Sequence, residues 1–103
     1  MKKLNNTLKN PRLLELVRKK FCEVCMHPPL NDAHHLRTRG AGGDDSPENL
    51  MALCRKCHTE WHMIGIKSFV LKQNLQNIID ISEIYPKRKT PLFKDPEILN
   101  SNQ

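Results

Sequence analysis

LCRKCHTEWH, residues 53–62, places two cysteines and two histidines within ten positions. All four side chains can bind a transition metal, so the stretch either builds one metal site or divides between two. Helical geometry decides. On a helix beginning near Arg55, adjacent residues diverge by about 100°, so Cys57 and His58 do not easily share one tetrahedral ion. His58 and His62 are four apart and project from one face, as paired metal ligands on helices do. The cysteines therefore belong to one site and the histidines to another.

Cys54 and Cys57 have counterparts in Cys22 and Cys25, with 28 residues between the pairs. Two Cys-x-x-Cys turns supply four thiolates, the coordination of a closed structural zinc site. The alternatives are a disulfide pair or a thioredoxin-like redox motif, and the latter leaves the second pair without a purpose. A staple is needed. In 103 residues the chain is one small domain, aromatics are 5% of it, and its apolar core alone gives marginal stability.

The opening MKKLNNTLKN has basic residues but no apolar h-region behind them, so it does not read as a signal peptide. No run is long enough to span a bilayer. A cytoplasmic, reducing setting without a membrane is expected, where Cys-x-x-Cys pairs read as metal ligands more often than as disulfides.

Net charge is +6, and its distribution is uneven. Residues 1–20 carry seven Lys/Arg against one acid, residues 21–85 six against eight, and the tail from Pro86 four against two. The excess sits in the arms, where it can attract a polyanion such as nucleic acid or simply keep a small protein soluble.

Asn10 followed by Pro11 is an N-cap and first-turn pair, opening a helix through about Lys20. FCEVCMHPP reads as a tight metal knuckle stopped by Pro28 and Pro29. DAHHLRT (32–38) is strand-like, RGAGGDDSPEN (39–49) is a turn-rich loop, and LMAL (50–53) is a short apolar strand, together a wide hairpin. A helix follows from Arg55 to about Met63, with Gly65 placed to end it. Ser68 then caps a C-terminal helix over about 67–85, on a stripe of Val70, Leu71, Leu75, Ile78 and Ile79. The expected organisation is one domain over residues 1–85, with 86–103 an extended or partly disordered tail.

His34 and His35 lie in the strand-like DAHHL. Strand periodicity sends them to opposite faces, so spacing alone does not place both in one site. Trp61 reads as packing, and His27 as having no role.

CEVC, AHHLRTRGAGGDDSPENL and LCRKCHTEWH, in that order over residues 22–62, resemble the HNH endonucleases, and in particular their small free-standing phage or bacterial members. The resemblance implies an α+β fold, a ββα-metal core with a structural four-cysteine zinc site and flanking helices. It implies a metal-dependent enzyme that hydrolyses DNA phosphodiester bonds, leaving 3′-hydroxyl and 5′-phosphate ends. His35 matches the general base. His34, His58 and His62 match ligands of the catalytic divalent ion, and Asn49 matches the Asn that pins the hairpin loop and helps to orient the base.

The chemistry agrees with these residue types. Imidazole can take a proton from water near neutral pH, and one divalent ion stabilises charge on the phosphate and the leaving oxygen. Imidazole ligands suit zinc or nickel, while family analogy also allows magnesium or manganese with water completing the shell. Arg37 and Arg39 follow the base and can grip phosphates, or stand as solvated loop residues. A zinc-stapled DNA-binding module without turnover and an RNA-directed nuclease stay open as alternatives. Substrate preference, protein partners and oligomeric state are not legible in the sequence.

Overall fold

A computed structural model of the chain describes residues 9–82 and 84–92. Helix α1 spans Pro11–Arg18, and the Asn10 side chain accepts a hydrogen bond from the Leu13 N–H at 3.1 Å. That bond fills one of the orphan donors at the helix start, and Pro11 sits where no N–H is needed. Leu13 and Val17 form the buried face. The helix stops two residues before Lys20 because Asn31 takes its terminal carbonyls. The Asn31 backbone N–H donates to Arg18 and its amide to Lys20, both at 2.9 Å.

Strands β1 (Asp32–His35) and β2 (Leu50–Leu53) pair antiparallel, with His34 opposite Met51 and His35 opposite Leu50. All four residues of β2 are buried because the hairpin is covered on both faces. Leu50 and Ala52 pack with Leu13 and Val17 of α1. Met51 and Leu53 join Trp61, Phe69, Val70, Leu75 and Ile79 on the opposite side. In the loop between the strands, Arg39–Ala41 form a single 3-10 turn. Gly43 then folds back so tightly that a Cβ there would stand 1.7 Å from the Arg37 carbonyl oxygen. Only glycine fits.

Helix α2 spans Arg55–Ile64, with Cys54 as its N-cap; Gly65, at φ 87°, takes the backbone out of the helix. Helix α3 follows at Ile66–Lys72. The expected helix over 67–85 is therefore corrected on two counts. Gly65, not Ser68, is the N-cap residue, and α3 ends at Lys72. The reason is Asn74, which adopts the left-handed conformation at φ 57°. Leu75 N–H reaches back to Val70 O, and Asn74 N–H to Leu71 O, closing the Schellman pattern. Val70 and Leu75 are both core residues, but they meet across a helix end, and Leu71 of the expected stripe is exposed.

Ile79 then enters strand β3 (Ile79–Asp80), which pairs with β4 (Lys87–Arg88). The segment after Pro86 is thus not a free tail as far as Leu92. Arg88, Lys89 and Leu92 donate backbone bonds to Glu48, Ile78 and Pro47. Arg88, buried, also pairs with Glu23 Oε1 at 2.9 Å, while Glu23 Oε2 accepts the Ala52 N–H. One carboxylate thereby joins the knuckle, β2 and β4. Residues 93–103, and with them the rest of the expected tail, lie outside the described residues.

Among the described residues the protein is α+β, with three helices and two small antiparallel sheets around a β1–β2–α2 core. Among the described residues no helix is long and apolar enough to cross a membrane.

Candidate functional site

The first cluster is the four cysteines. Their Sγ atoms lie within 4.8 Å of one another, and none is in a disulfide. Cys25 Sγ stands 3.6 Å from Cys54 Sγ and 3.8 Å from Cys57 Sγ. A tetrahedron of zinc–sulfur bonds has edges of about 3.8 Å, so the cage has the size zinc needs. The knuckle geometry comes from Met26 at φ 66°, with Met26 N–H bonded to Cys22 O and Cys22 N–H to His27 O. His27 contacts Asn31 through its ring and so belongs to this turn.

Burial acts upward on the Cys22 thiol, but the backbone N–H groups of Cys25, Cys54 and Val24 outweigh it and bring it down to about 7. Burial, with the Cys54 sulfur beside it, pushes Cys57 up. Four thiolates this close repel, and a dication is what lets them all ionise.

The second cluster is His34, His58 and His62, which also offer ligand atoms within 4.8 Å of one another. Helix α2 presents His58 and His62 from one face, with ring centroids 4.9 Å apart. Strand β1 turns His34 toward α2, where Trp61 stands edge-on to its ring at 4.4 Å. Trp61 packs in turn on Phe69. It is a wall behind the histidine, not a platform for a base. His58 Nδ1 contacts Asp32 Oδ2 at 2.8 Å, leaving Nε2 for the cluster. Such a carboxylate behind a ligating histidine fixes the ring and raises its basicity.

His34 supplies the test of whether these residues fit a metal ion. Its Nε2 is buried and has no hydrogen-bond partner among the described residues. Burial above all, then the charges of His58, His62 and His35, pushes its pKa down to about 3, so the ring is neutral near pH 7. A buried, neutral and unpartnered imidazole nitrogen facing two others has the donor chemistry of a metal site, and the residues fit a divalent cation.

Strand alternation turns His35 to the α1 side of the hairpin, yet it lies at the strand end. It therefore lines the same cavity of about 260 Å³ as His34, His58 and His62, with Arg39 at the rim. Its Nε2 meets Asp45 Oδ1 at 2.7 Å.

The model of the HNH endonuclease family matches residues 22–64, which hold both cysteine pairs and all four clustered histidines. Residues 22–64 match an HNH endonuclease domain. Comparison with curated proteins and with solved structures gives no match. A match to the HNH domain implies nuclease-type activity and metal binding, and the four-cysteine cage fits the zinc-binding type.

Within this HNH domain Asn49 holds the loop. Its Oδ1 accepts the Arg37 N–H at 2.8 Å, and its amide donates to Arg37 O and Asp44 O, both at 2.9 Å. Arg37 is turned inward: its Nε donates to Ala41 O at 2.6 Å, and its guanidinium lies 4.0 Å over the Tyr85 ring. Arg39 binds both oxygens of Asp45, at 2.9 and 2.7 Å, although its side chain is 43% exposed.

Sequence reading missed Asp32 and Asp45. For Asp32 a signal existed, since it lies two residues before His34 and so on the same strand face. Asp45 stands in a loop of turn formers, where an aspartate reads as turn chemistry.

Proposed function

We propose that this chain is a metal-dependent endonuclease hydrolysing DNA phosphodiester bonds, with His35 as general base and His34, His58 and His62 holding one divalent cation. The observation that carries the reading is the orphaned Nε2 of His34, buried beside His58 and His62 in a cavity that His35 also lines. A binding module needs no such set of imidazoles.

His35 takes the proton of the attacking water. Asn49 fixes the loop that leads from it, and Arg39, exposed at the rim, offers its remaining N–H groups to a phosphate oxygen. Arg37, bonded to Ala41 O and stacked on Tyr85, steadies the loop. A divalent ion, when bound by the three histidines, supplies charge stabilisation for the scissile phosphate and the leaving oxygen. Three imidazoles suit zinc or nickel, while magnesium or manganese would need water to complete the shell. The four cysteines hold a zinc that staples the fold. DNA is the substrate because HNH nucleases act on it, and the net charge of +6 favours a polyanion.

The test is plasmid cleavage with a panel of divalent ions, comparing wild type with His35→Ala. Cleavage that needs added metal and falls on the order of 10²- to 10⁴-fold in the variant supports the reading. Metal-independent binding without cleavage by either protein returns the zinc-stapled binding module, and degradation of RNA alone returns the RNA nuclease.

A further inference from the structure

The Asp45 carboxylate is 1% exposed and meets donors at both oxygens. Oδ2 accepts the Asn10 N–H at 2.8 Å, Arg39 reaches both oxygens, and Oδ1 lies 2.7 Å from His35 Nε2. Every other neighbour in this set is an N–H donor, one of them a permanent cation. A carboxyl group so surrounded stays ionised and can only accept. His35 Nε2 must then carry the hydrogen, which leaves Nδ1 as the lone-pair nitrogen.

We infer that Asp45 is a positioning residue for the proposed nuclease reaction, holding His35 in the Nε2–H tautomer so that Nδ1 is the nitrogen that accepts the proton from water. The inference rests on the reading of His35 as general base. The proton leaves the water oxygen and ends on Nδ1, and the imidazolium so formed lies against the Asp45 carboxylate that neutralises it. Asp45 touches neither substrate nor metal; it acts through the ring. The same carboxylate ties the N-cap of α1 to the loop, so loss of the side chain also has a structural cost. The experiment must separate the two effects.

The decisive variant is Asp45→Asn, which keeps shape but removes the charge. With the amide nitrogen toward the ring, Nε2 must accept and the hydrogen moves to Nδ1; with the oxygen toward it, the bond survives but the neutralising charge is gone. Nitrogen-15 NMR of the zinc-loaded protein reads the His35 tautomer directly, with cleavage rate at saturating DNA, KM for DNA and metal affinity measured beside it. The expected result is Nε2–H in wild type and a mixture of tautomers in Asp45→Asn. The cleavage rate at saturating DNA falls on the order of 10²- to 10⁴-fold, as loss of an oriented base does, while metal affinity stays within about twofold; KM also reads the loosened Arg39 and does not discriminate.

A purely structural role predicts instead a lowered melting temperature with metal affinity degraded and the His35 tautomer unchanged, and that pattern overturns the inference. So does Asp45→Asn cutting at the wild-type rate while His35→Ala is inactive, a result that leaves the nuclease reading intact. A wild type that cuts no faster than His35→Ala overturns the nuclease reading, and the role of Asp45 with it. Should Asp45→Asn fail to fold, the wild-type spectrum decides alone: Nε2–H supports the inference and Nδ1–H overturns it.

Discussion

His34 and His35 are adjacent in the chain, yet β1 gives them different surroundings. His34 is walled in by Trp61 and faces two other imidazoles, whereas His35 meets Asp45 and the cavity. Their loss should therefore read differently. Calorimetric titration with a divalent ion should find His35→Ala close to wild type and His58→Ala clearly weakened, with excess metal restoring part of the His58→Ala cleavage. Equal weakening in both would make His35 a ligand and not the base.

The depressed His34 pKa has a consequence for stability when the histidine site is metal-free. Its folded value, about 3, lies below the ordinary imidazole value of 6.5, so folding favours the neutral ring. Between those values the unfolded chain binds more protons, and stability rises with pH across that window. The contribution is complete above about 6.5 and is lost toward about 3, by at most about 1.4 kcal/mol per pH unit. Urea unfolding at several pH values, with the histidine site stripped, should show this slope in wild type and a flatter one in His34→Gln. Identical slopes would mean that His34 is not held neutral. At this scale the sequence was legible in the clustering of His34, His58 and His62, which the fold brings together. It was opaque where a common loop residue such as Asp45 is recruited by tertiary contacts.

Elements were legible where local chemistry and long-range packing agree. Asn10–Pro11 starts α1, LMAL becomes β2, and the helix after Cys54 runs to its Gly65 stop. They were misread where one apolar spacing serves two elements. Val70 and Leu75 meet across the end of α3, and Ile79 belongs to a strand, so a single helical stripe over these residues was a coincidence of spacing. The available signal was Asn74, the residue after glycine that most readily adopts the left-handed conformation. A β-branched residue there should cost about 1–2 kcal/mol, whereas Asn74→Gly should be tolerated; equal cost for Asn74→Val and Asn74→Gly would contradict the cap. In the hairpin loop, Gly43→Ala drives a methyl group into the Arg37 carbonyl. The loop must give way, at about 1–3 kcal/mol by urea denaturation, and wild-type stability would show that the fold-back is not obligatory.

For the whole molecule, the cysteine and histidine clusters both draw on one helix. Cys54 caps α2, its sulfur 3.5 Å from the Cys57 N–H, and His58 and His62 follow on the next turns. A zinc that fixes the start of α2 therefore also sets the histidines against β1. Cys54→Ser should unfold or aggregate the chain, because metal binding at such a site is folding free energy. The basic arm should strengthen DNA binding without setting sequence preference. Of its lysines, Lys2 and Lys3 lie outside the described residues, while Lys9, Lys19 and Lys20 lie within them. Replacing all five by Gln should flatten the salt dependence of binding, and an unchanged slope would leave them as solubilising charges.

The central claim is that the cysteines and histidines of residues 53–62 serve two sites with different tasks. Mild chelation, with metal content, circular dichroism and plasmid cleavage read on one sample, tests it most directly. The account predicts that the chelated protein stays folded with one zinc retained and no cleavage, and that an added divalent ion restores cutting. Loss of fold and of cleavage at the same chelator concentration, or cleavage that persists with only the one zinc bound, would contradict it.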